Sequence, residues 1–68
     1  MKVHLLTPEQ TESLMGQLYG GVMSYNPILD GNGNWVLSTQ EADQTTNPDF
    51  LWVKSLPLID RVSEPIQM

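Results

Sequence analysis

Apolar and polar residues alternate at the start of the chain, with Val3 and Leu5 set against Lys2 and His4. This two-residue period predicts a short strand with one buried face. The pattern then changes. Thr7-Pro8-Glu9-Gln10 is a helix start, in which the Thr7 hydroxyl can cap the first turn, Pro8 is preset for the first helical position and Gln10 can reach back. Leu14, Met15, Leu18 and Tyr19 fall on one helical face, which predicts a main helix near residues 8–19, ended by the conformational freedom of Gly20-Gly21. A strand is expected over residues 22–25, and Asn26-Pro27 then punctuates the chain.

Ile28-Leu29 and Trp35-Val36-Leu37 flank a cluster of glycine and asparagine, the signature of a hairpin over about residues 28–38. Ser38-Thr39-Gln40-Glu41 reads as a second capping box, opening a helical turn over residues 39–44. Asn47-Pro48-Asp49 opens a third helical segment, with Asn47 as cap and Asp49 complementing the dipole. Phe50-Leu51-Trp52-Val53 follows without periodicity, so helix and strand both fit it, and the cap tilts the reading towards helical turns ending near Ser55. Pro57 stops that segment, a last strand is expected over residues 58–62, and residues 63–68 read as an extended tail.

Length limits what these elements can bury. A chain of 68 residues forms one domain and buries only about 60% of the surface that its unfolded form exposes. With no cysteine there is neither a disulfide framework nor a thiolate metal site, so packing, self-association or a partner must supply stability. The sum is a small single α+β domain over residues 1–62, with a short antiparallel sheet and one main helix. A hydrophobic content of 40% is too high for a disordered chain.

The net charge of -5 repels phosphate backbones and anionic lipid, so neither nucleic acid nor a membrane surface is the expected partner. No stretch has the length of a membrane span or the apolar core of a signal peptide, and a cytosolic origin is expected.

Residues 30–41 carry the one motif with chemistry in it. Asp30, Asn32, Asn34, Ser38 and Glu41 stand at the first, third, fifth, ninth and twelfth positions of a calcium loop, where alternating oxygens could wrap a hard cation. The sixth position needs a sharp turn and holds Trp35 instead of glycine, and positive φ would strain it. The hairpin is the leading reading, with Gly31, Asn32, Gly33 and Asn34 supplying positive-φ positions, and the calcium loop is the alternative. No cofactor is expected under the first.

Catalysis has little to stand on. His4 is the only histidine, has no oriented partner in the sequence, and is expected to be solvated or hydrogen-bonded. Glu9 and Glu12 sit in a first helical turn, where the dipole accounts for them. The aromatic residues are a better lead, because a thin core leaves apolar area for an interface. Tyr25, Trp35 and Trp52 are the expected anchors, joined by Ile66 and Met68 of the tail.

Asn26-Pro27-Ile28 with Asp30, then Gly33-Asn34-Trp35-Val36-Leu37-Ser38 with Glu41, then Phe50-Leu51-Trp52-Val53-Lys54-Ser55-Leu56-Pro57-Leu58-Ile59, resembles a group of short uncharacterised proteins of tailed bacteriophages over roughly residues 25–60. The resemblance implies a location in the host cytoplasm or the phage particle. It also implies a non-catalytic role in protein binding, as a minor virion component or an inhibitor of a host protein, in complex or as a homo-oligomer.

Overall fold

The chain runs β1 (Lys2–Leu6), α1 (Pro8–Leu14), β2 (Leu18–Tyr19), β3 (Met23–Ser24), β4 (Ile28–Leu29), β5 (Trp35–Ser38), α2 (Thr39–Gln44), a 3-10 helix (Pro48–Ser55) and β6 (Leu58–Asp60), in a computed structural model that describes residues 1–21 and 23–62. It is an α+β fold with an antiparallel four-stranded sheet of order β4-β5-β1-β6 and a separate β2-β3 ribbon. The expected tail, with Ile66 and Met68, lies outside the described residues, as does Val22.

β1 is central, and both of its faces are buried instead of the one that its alternation predicts. His4 and Leu6 pair with Leu37 and Trp35 of β5, and this face meets the helices. Leu6 and Leu37 join Leu14, Tyr19, Tyr25, Ala42 and Val53 in the main core, with Trp35, Phe50, Trp52 and Leu56 packed around it. On the opposite face Val3 and Val36 are also buried, beside half-buried Leu5, Ile28 and Ile59. A contact between the sheet's two margins accounts for this. β4 and β6 are its outermost strands, yet the amide of Gly31, just past β4, donates to the carbonyl of Val62, just past β6, at 2.7 Å. The sheet therefore curls on itself, and the residues on its concave face form a second apolar layer.

The first helix is shorter than predicted. Its start is as expected: Thr7 Oγ1 accepts from the Gln10 amide at 3.1 Å, and Gln10 Oε1 accepts from the Thr7 amide at 2.9 Å. Its end is at Leu14, because Gly16 takes φ +75° and turns the chain away. Leu18 and Tyr19, expected as the helix's last turn, instead pair with Ser24 and Met23. Gly20 and Gly21 reverse the ribbon in place of capping a helix.

The hairpin over residues 28–38 is present, with Ile28 opposite Val36 and Leu29 opposite Trp35. Its turn needs only one left-handed residue, Gly33 at φ +79°, not the four that the sequence offered. Asp30 does the rest. Its carbonyl accepts from the Gly33 amide at 3.1 Å, its amide donates to Asn34 O at 2.9 Å, and its Oδ1 accepts from the amides of Asn32 and Asn34 at 2.9 and 3.0 Å. This is a type I turn with aspartate first and glycine fourth, closed by a bulge.

α2 starts at Ser38, whose Oγ accepts from the Glu41 amide at 3.1 Å. Only half of the expected capping box forms, because Glu41 Oε1 turns to the Asn26 amide at 2.6 Å while Oε2 accepts from Ser38 Oγ at 2.8 Å. Residues 48–55 are helical, in the tighter 3-10 form, with Asn47 Oδ1 accepting from the Asp49 amide at 3.0 Å. β6 pairs with the free side of β1. The Lys2–Asp60 ion pair across them, at 3.1 Å with both side chains mostly in solvent, adds little.

Candidate functional site

The residues singled out in the sequence do not converge on one place. Tyr25 was expected at an interface and is instead a core residue, 5% exposed. It is the middle of a chain of aromatic contacts, with ring centroids 5.2 Å from Tyr19 and 5.8 Å from Phe50. Burial, first, and the nearby Glu41 and Tyr19 push its hydroxyl above the ordinary phenol range. Trp35 and Trp52 are half-buried against the core, and Trp52 Nε1 donates to Asp49 O at 3.0 Å. Each leaves part of an indole at the surface.

The calcium alternative is not assembled. Asp30 Oδ1 is occupied by amides of its own turn, and Ser38 and Glu41 bond to each other. Strand β5 intervenes, about 13 Å of extended chain at strand spacing. Among the described residues no group of three or more His, Asp or Glu side chains could hold a metal ion.

His4 is buried, and its Nδ1 donates to the Leu56 carbonyl at 3.0 Å. That bond ties the helix-facing side of β1 to the end of the 3-10 helix. A ring held this way is part of the packing, and among the described residues no nucleophile or carboxylate is bonded to it.

A different place has the shape of a site. Gly16 to Leu18 and Gly20-Gly21 form one wall of an open cleft of about 590 Å³, and Thr46 and Asn47 form the other. Its size is within the range of pockets that take a ligand. None of its side chains titrates, so it offers hydrogen bonds and close backbone approach, not proton transfer. The two segments come close at Gly20, where an added Cβ would lie 3.2 Å from Gln44 O. Around it the chain leaves Met15, Leu18 and Met23 at 58%, 42% and 57% exposure. The sequence does contain the signals, three glycines close together and Thr46-Asn47. Reading Gly20-Gly21 as a helix stop concealed the ribbon that makes them a wall.

No family model matches the chain, and neither curated proteins nor solved structures show a significant match to it. Among the described residues no helix is long and apolar enough to cross a membrane.

Proposed function

We propose that this protein is a small non-catalytic protein-binding domain. The observation that carries the reading is the exposure of Met15, Leu18 and Met23 within one short segment beside the neutral cleft, in a domain too small to bury them. Methionine and leucine on such a surface gain by being covered, and a net charge of -5 favours a basic partner over nucleic acid. The likeness of residues 25–60 to short proteins of tailed bacteriophages adds a setting, in the particle or against a host protein. A second copy of the chain is the other possible occupant.

Size exclusion with light scattering tests self-association, and affinity capture from host lysate or purified particles tests the partner. Both are run with the wild-type chain and with a Met15→Gln, Met23→Gln variant. The expected result is a dimer or a captured protein that the variant loses. A monomer capturing nothing, or a capture indifferent to the variant, overturns the reading.

A further inference from the structure

The cleft runs along a strand edge whose hydrogen-bonding groups are fixed by the ladder beside it. In an antiparallel pair, residues that exchange hydrogen bonds alternate with residues whose N–H and C=O point outward. The Tyr25 amide donates to Gln17 O at 2.9 Å while the Gln17 amide turns to Leu14 O at 3.0 Å, so Gln17 and Tyr25 stand at a bonded position of the ladder with one of its two bonds made. The next pair, Leu18 with Ser24, is then the unbonded kind. Leu18 therefore aims its N–H and C=O away from β3, and Leu18 is one of the residues that line the cleft. Among the described residues, no turn or loop backbone group bonds to either one.

From this the geometry points to the cleft as a docking site for an extended segment of a partner protein, which joins the β2-β3 ribbon as a third strand on the Leu18 edge. The inference rests on the protein-binding reading and adds the surface and the form of the partner. A donor and an acceptor side by side on one residue match the acceptor and donor of an extended backbone. Gly16, Gly20 and Gly21 have no side chain to hold that backbone off, and the Thr46 hydroxyl stands on the facing wall. The lining is uncharged, so the cleft itself selects an extended main chain with small or polar side chains. Basic residues outside it would suit the domain's overall charge.

The test is selection of a displayed random-peptide library against the full chain, followed by titration of one selected peptide into the isotope-labelled protein. Amide shifts are expected at Leu18, Gly20, Gly21, Thr46 and Asn47. Leu18→Pro removes the outward N–H, and because that group makes no ladder bond the ribbon is expected to survive. Affinity should fall at least tenfold in Leu18→Pro, while Ser24→Pro, which removes the matching outward N–H on the far edge, should leave it within about twofold. Thr46→Trp, on the opposite wall and clear of the ladder, should also abolish binding if the first variant fails to fold. A peptide that binds with shifts elsewhere, or that ignores both Leu18→Pro and Thr46→Trp, overturns the docking site and leaves protein binding standing. Failure to select any peptide also overturns it, and the capture experiment then judges the broader reading separately.

Discussion

The Tyr25 hydroxyl donates to Thr45 Oγ1 across 2.6 Å, because the threonine's own proton is committed to the Glu41 carbonyl at 2.9 Å. Both residues are buried, and the relay joins the aromatic core to the C-terminal end of α2.

The direction of that relay ranks two substitutions. Tyr25→Phe removes the terminal donor and leaves Thr45 bonded to Glu41, at a cost of about 1 kcal/mol. Thr45→Val removes the acceptor of a buried phenol and the donor to a carbonyl together, and should cost about 2–3 kcal/mol. Urea unfolding of the two variants gives the order, and the reverse order would contradict the assigned donor.

Alkaline pH should act through the same phenol. Its pKa lies above the ordinary 10.0 in the folded chain, so the folded state holds the proton more tightly than the unfolded state does. This contribution is complete below the unfolded value and is lost as pH rises through the folded one. The melting temperature should fall as pH rises above about 10, and fall less in Tyr25→Phe. An equal fall in both proteins would place the alkaline sensitivity elsewhere.

Two glycines with the same backbone hand should differ under substitution. Gly33→Ala meets open space and carries only the left-handed penalty of about 1 kcal/mol. Gly20→Ala carries that penalty and also sets a methyl group 3.2 Å from Gln44 O and 3.6 Å from Thr46 Oγ1. It should be worse by a further 1 kcal/mol or so, as crowding of a packed contact costs. Denaturant midpoints at equal slope decide between them.

Asp30 offers a contrast between an acceptor and a charge. Oδ1 holds two turn amides, while Oδ2 is buried and has no hydrogen-bond partner among the described residues. Asp30→Asn keeps the useful oxygen and removes the buried charge, so stability should hold or rise. Asp30→Ala leaves both amides without their acceptor and should cost about 2 kcal/mol. Thermal melts of the pair measure this, and equal losses would mean that the charge itself supports the turn.

What the sequence disclosed was local. Thr7, Ser38 and Asn47 announced their helix starts because a cap is made by residues a few positions apart, and the hairpin showed because Asp30 and Gly33 sit where its turn requires them. The helix predicted through Tyr19 failed because a helical face and a ribbon of alternating exposure both suit Leu14, Met15, Leu18 and Tyr19. Gly16 decided between them through a φ that composition does not show. Tyr25 was misplaced because an aromatic residue suits a core and an interface equally, and the partner that settled the matter, Thr45, is distant in the chain. The cleft was hidden for the same reason, since its walls belong to segments about 26 residues apart in sequence.

Among the described residues, one backbone hydrogen bond, from Gly31 to Val62, joins the two margins of the sheet in a seam. Val3 and Val36 lie buried on the face that this closure encloses. Parting the seam would wet that layer while leaving the β1-β5 ladder whole, which gives the domain a way to breathe at one margin without coming apart.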